Sequence, residues 1–261
     1  MRPARLGAVD YLNARPLVYG LELRTDLFSL RFDLPSKCAA LLHEGSIDVG
    51  MIPSIEYERG RDYRVVPGVG IISDGPVASV ALFARTPLER IRSIAADTSS
   101  RTSYALLRIL CLECFGIDPD FQPMPPDAAA MLRRCDAALL IGDPALFLDH
   151  RRLGAEKIDL GEQWKSLTGL PFVWAFWAGR RDALSQDAVT ALIDARNNGV
   201  ARSEEVAAAY CGPERAERGQ SYLRENIQYT LGEREEAGLM KYYELAQRAG
   251  VVNTLVPPIF Y

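Results

Sequence analysis

Short apolar runs of strand length alternate with segments of helical period through the first two thirds of this 261-residue chain, and they do so twice over. Arg5–Val9, Leu30–Leu34 and Asp48–Ile52 form the first set. Ser93–Ala96, Phe121–Pro123, Ala137–Ile141 and Glu156–Leu160 form the second. Between them the spacing predicts helices from Pro35 to about Glu44, over Thr102–Phe115 and over Asp127–Arg133. Strands alternating with helices demand a mostly parallel sheet covered on both faces. The repetition implies two α/β lobes.

The chain must then cross between lobes. Val77–Ala84 reads as a long apolar strand of the first lobe, and Arg85-Thr86-Pro87 breaks the pattern after it. Leu170–Gly179 is the most apolar strand of all and reads as the return. Its aromatics alternate poorly, which fits burial on both faces and reads first as core packing; the alternative is that they line a pocket for a flat ring. The expected division is residues 1–85 and 175–261 for a discontinuous first lobe, carrying a helical C-terminal region, and 86–174 for the second. Two such lobes enclose a cleft that can close over a ligand.

Composition narrows the partner. Net charge is −4, which argues against a nucleic-acid surface. No apolar run reaches membrane-spanning length, and the first residues lack the apolar core of a signal peptide, so a cytoplasmic protein is expected. Five scattered cysteines are expected to be reduced thiols. Cys111 and Cys114 form a C-x-x-C inside the apolar helix, with no second pair, and read as two buried thiols rather than a metal site. His43 and His150, the only histidines, lie in no metal-type spacing.

The carboxyl ends of strands are where an α/β sheet places its ligand. Asp97-Thr98-Ser99-Ser100-Arg101-Thr102-Ser103 follows one such end and opens a helix. A hydroxyl-rich turn at a helix start offers free N–H groups and the positive end of the helix dipole to an anion. The same residues could instead simply cap the helix. Asn13 and Ser54 end first-lobe strands, Ser79 interrupts the run before the first crossing, and Asp143 follows Ala137–Ile141. Asp143 reads equally as a helix cap or a cleft residue, and Arg101 as a ligand group or a solvated one. The set suits a small anion bearing carboxylates and hydroxyls. It contains no nucleophile with a base, no metal ligand set and no Gly-rich phosphate loop.

These residues also carry a resemblance. Val9-Asp10-Tyr11-Leu12-Asn13-Ala14-Arg15-Pro16-Leu17 and Ile52-Pro53-Ser54-Ile55-Glu56-Tyr57 resemble motifs of the menaquinone-biosynthesis enzymes of the futalosine route. Ile71–Val80, Asp97–Ser103 and Leu140–Leu146 resemble the chorismate dehydratase branch in particular. The resemblance implies a type II periplasmic-binding-protein-like fold. It also implies conversion of chorismate to 3-[(1-carboxyvinyl)oxy]benzoate without a cofactor. Asn13 and Ser79 match the residues the family is thought to use on the reacting ring. Arg101, Thr102 and Ser103 would hold one carboxylate, Ser54 the other, and Asp143 would orient a hydroxyl or cap its helix. The sister enzyme, which forms 1,4-dihydroxy-6-naphthoate, relies on a histidine after the second-lobe strand, where this chain has Gly142-Asp143. The other alternative is a non-catalytic small-anion binding protein of the same fold.

Overall fold

The computed structural model describes residues 2–60 and 62–261. The strand β1 (Ala4–Val9) leads into a 3-10 segment at Leu12–Val18, where Pro16 denies the backbone a regular α-helix. Next come β2 (Phe28–Asp33), α1 (Pro35–Glu44), β3 (Val49–Pro53) and β4 (Tyr63–Ser73). The chain then runs through β5 (Val80–Ala84), β6 (Ser93–Asp97), α2 (Thr102–Leu110), β7 (Asp120–Met124), α3 (Ala128–Arg134), β8 (Ala137–Ile141), α4 (Gly142–Leu146), β9 (Glu156–Asp159) and α5 (Leu160–Thr168). It returns as β10 (Phe172–Arg180) and ends in α6 (Gln186–Ala201), α7 (Ser203–Cys211), α8 (Ala216–Glu225) and α9 (Glu233–Arg248).

The strands form two five-stranded sheets of matching design, ordered β2-β1-β3-β10-β4 and β7-β6-β8-β5-β9. In each, four strands point one way, and the fourth position holds the one antiparallel strand, which has just crossed from the other lobe. This corrects the expected first boundary. Val80–Ala84 pairs with Ala137–Ile141 and so lies in the second sheet, not the first. The crossing therefore precedes it, at residues 74–79, and we propose that the second lobe begins there rather than at residue 86. The return falls between α5 and β10, a few residues before 175. An apolar run announces burial but not which sheet receives it.

The apolar character of β5 follows from its two covered faces. Ala81 and Phe83 face an outer cluster with Leu140 and Met131, while Val80, Leu82 and Ala84 join the main core. That core runs through both lobes and is completed by the C-terminal helices. Helix α9 buries Tyr242 and Tyr243 and packs on β10 and α2. Its approach to the return crossing is close enough that a Cβ on Gly238 would lie 2.2 Å from the Pro171 carbonyl oxygen. Phe172, Phe176 and Trp177 of the return strand are fully buried in the core, while Trp174 faces the cleft.

Helix α2 starts at Thr102 as the hydroxyl cluster predicts, but gives way after Leu110 to one π turn at Cys111–Phe115. That turn exposes Cys114 and leaves only Cys111 buried, correcting the reading of two buried thiols. Burial pushes the Cys111 thiol up to about 12. Among the described residues no group of His, Cys, Asp and Glu could hold a metal ion, and no helix is long and apolar enough to cross a membrane.

Candidate functional site

The carboxyl ends of β1, β3, β6 and β8 converge between the sheets, as parallel order requires. They enclose a cleft with about 540 Å³ of empty space. Its walls are mostly apolar, from Val9, Ile71, Val80 and Ile141, with Trp174 as a flat aromatic face. Trp174 is held by an N–H bond from its Nε1 to the Ser73 hydroxyl, 3.0 Å. The polar lining is Tyr11, Asn13 and the run Ser99–Ser103. Arg101 is the one charged side chain among the lining residues.

The Ser99–Ser103 turn is organised by Asp97. Its Oδ1 accepts from the Ser99 N–H at 2.8 Å and the Ser99 hydroxyl at 2.7 Å. Asp97 is almost wholly buried, and burial raises its pKa despite those two donors. With the turn so folded, α2 starts without any side-chain cap. Its leading N–H groups are therefore left to a ligand. Arg101 is exposed at the cleft mouth and forms no ion pair among the described residues. An uncapped helix start beside an unpaired guanidinium has the donors and the charge that a carboxylate needs.

The hydroxyl of Thr102 has another task. It accepts from the Ile55 N–H at 3.3 Å and meets the Ser54 hydroxyl at 3.3 Å, joining the two lobes. Ser54 in turn donates to the Val173 carbonyl at 2.7 Å. Ser54 is fully buried behind the wall, so the structure does not bring it to the cleft as a carboxylate ligand. Thr102 contributes to the cleft from its backbone, while Ser103 lines it directly.

Asp143 is likewise withdrawn. Its Oδ1 accepts from the Leu12 N–H at 3.1 Å and its Oδ2 from the Tyr210 hydroxyl at 2.5 Å. Burial raises its pKa, opposed by those donors. It neither caps α4 nor faces the cleft; it ties the lobes at the end opposite Thr102. Gly142 beside it does line the cleft, at φ +62°, and a Cβ there would lie 2.6 Å from the Tyr11 ring.

Asn13 lines the cleft, and its Oδ1 is buried without a partner. Ser79 is buried and is not itself among the lining residues; it lies between Val77 and Val80, which are, with its hydroxyl 2.7 Å from the Tyr222 hydroxyl. Tyr222 is fully buried, and burial first of all drives its pKa well above the usual range. Tyr222 and Tyr210 are the site residues that sequence reading missed. Each is a tyrosine in an amphipathic C-terminal helix, and only its hydroxyl's partner marks it. His43 and His150 lie elsewhere: His43 bonds Glu56 and Tyr63, and His150 bonds the Ala155 carbonyl. Among the described residues, no His, Asp, Glu or Lys lines the cleft.

Comparison with known proteins accounts for this arrangement. A family profile described as menaquinone biosynthesis matches residues 4–248. The chain belongs to the menaquinone biosynthesis family. Among relatives in this family, a chorismate dehydratase of Thermus thermophilus is 33% identical over 267 residues, covering 94% of this chain and 95% of that one. Among solved structures, a protein of Archaeoglobus fulgidus superposes with a TM-score of 0.79 at 20% identity, covering 96% of this chain and 99% of the other. The periplasmic aliphatic sulphonate binding protein of Escherichia coli superposes with a TM-score of 0.65 at 21% identity, covering 98% and 90%. The fold of this menaquinone-biosynthesis chain is therefore that of the periplasmic binding proteins, two lobes about a ligand cleft.

Proposed function

We propose that the cleft dehydrates chorismate to 3-[(1-carboxyvinyl)oxy]benzoate, a carbon–oxygen hydro-lyase reaction. The observation that carries this reading is the pairing of Arg101 and the uncapped α2 start with an otherwise apolar, Trp174-faced cleft, in a chain similar to a chorismate dehydratase along almost its whole length. A cyclic dicarboxylate fits such a site. The sister reading needs a base after β8, and both Asp143 oxygens are already engaged there.

The ring hydrogen to be removed sits on the carbon bearing the enolpyruvyl ether, allylic and vinylogous to the ring carboxylate. Its loss leaves an extended dienolate whose charge develops on that carboxylate. Arg101 and the N–H groups of Thr102 and Ser103 stabilise the charge as it grows. The neighbouring hydroxyl then departs with a proton as water, and aromatisation drives the step. Asn13 presents its free Oδ1 to the reacting edge of the ring, and Ser79 supports the same edge. The lining supplies no side-chain base, so the proton goes to the substrate's own enolpyruvyl carboxylate or to a water held beside it.

The futalosine route is the proposed setting, supported by the motifs at Val9–Leu17 and Ile52–Tyr57. Five free cysteines support a reducing, cytoplasmic location. Mixing the protein with chorismate and following ultraviolet absorbance tests the activity. An aromatic product of the expected mass supports the assignment. Folded protein that leaves chorismate unchanged sinks it.

A further inference from the structure

We infer that Tyr222 is a positioning residue of the reaction, setting Ser79 through one buried hydroxyl. The inference rests on the dehydratase reading. Tyr222 lies on α8, more than 140 residues from Ser79, and its hydroxyl meets the Ser79 hydroxyl at 2.7 Å. Ser79 directly precedes β5, between the lining residues Val77 and Val80, so Tyr222 ties a C-terminal helix to the margin of the cleft.

The two hydroxyls share one short bond in a buried setting, so Tyr222 fixes where Ser79 Oγ lies and which way its remaining hydrogen-bonding capacity points. Burial keeps the phenol protonated, so it acts through position rather than by titration.

The Ser79 segment is held for this purpose from the other side. Asp159 accepts from the Val77 N–H at 3.0 Å and the Ala78 N–H at 2.7 Å, and Lys157 donates to the Ala78 carbonyl at 2.5 Å. Ala78 adopts φ +61°, a left-handed conformation that a residue with a Cβ takes only when so constrained.

Tyr222→Phe deletes the hydroxyl and keeps the ring. The expected result is a fall in kcat of about tenfold or more with KM for chorismate little changed. In a Ser79→Ala background the same change should add little, because its effect passes through Ser79. A phenylalanine variant with wild-type kcat, or losses that simply multiply in the double variant, would overturn the inference. Should Tyr222→Phe fail to fold, 3-fluorotyrosine at position 222 keeps the shape and changes the strength of the hydroxyl's hydrogen bond; an unchanged kcat in that protein also overturns it. Wild-type protein inactive on chorismate marks failure of the dehydratase reading instead.

Discussion

The Asp143 carboxylate accepts the Tyr210 hydroxyl at 2.5 Å, on the far side of the lobe boundary from its own strand. With the Leu12 N–H on its other oxygen, Asp143 is a tie between sheets. Removing it should loosen the closed form without touching the chemistry. Asp143→Ala is expected to lower stability by about 2 kcal/mol and raise KM for chorismate more than it lowers kcat. Small-angle scattering should show a more open particle. An unchanged KM and radius would mean the tie is incidental.

Asn13 offers an unpartnered carbonyl acceptor on the cleft wall. Asn13→Ala should cut kcat by about a hundredfold and change chorismate binding by less than about tenfold. Stopped-flow turnover beside calorimetric binding separates the two. Near-normal turnover would remove Asn13 from the mechanism.

Arg101 stands at the cleft mouth with no carboxylate of the protein paired to it. Arg101→Ala should weaken chorismate binding by about tenfold or more, and Arg101→Lys should recover part of that. Thermal stability should hardly move, since the guanidinium makes no ion pair within the protein. Binding that survives the alanine change would show that Arg101 faces solvent.

Away from the site, Asp48 receives Arg5 at 2.7 Å and Arg2 at 3.0 Å, and the Arg5 hydrogen bonds bring its pKa down to about 2. A carboxylate held low in the folded state adds stability above its ordinary pKa near 4 and loses it as pH falls through the folded value. Asp48→Asn should therefore cost about 1–2 kcal/mol at pH 7, and the difference from wild type should vanish as pH approaches 2. Denaturant melts at several pH values check the sign.

Part of this site is legible in the chain itself. Asp97–Ser103 reads as a strand end, a hydroxyl turn and a helix start at Thr102, and it is all three, because each signal is local. The cleft at the carboxyl ends follows from the alternation of strands and helices alone. What local pattern does not carry is the use of each polar atom. Ser54 and Asp143 hold the right positions, yet their oxygens are taken by Val173, Leu12 and Tyr210. Those partners are 119, 131 and 67 residues away, and no periodicity encodes such meetings. Val80–Ala84 shows the same limit at the level of strands: its apolarity is complete in either sheet.

The exchange of crossing strands has a consequence for synthesis. The second sheet is finished when Asp159 has been made, since β5 to β9 are consecutive. The first sheet waits with a gap between β3 and β4 until β10 is supplied, and Tyr222 comes later still. On the ribosome the C-terminal half-cleft can thus be ordered before the N-terminal one, in reverse of the order of translation. A chain released before β10 would expose an unpaired sheet interior, making early termination an aggregation hazard rather than a source of partly active enzyme.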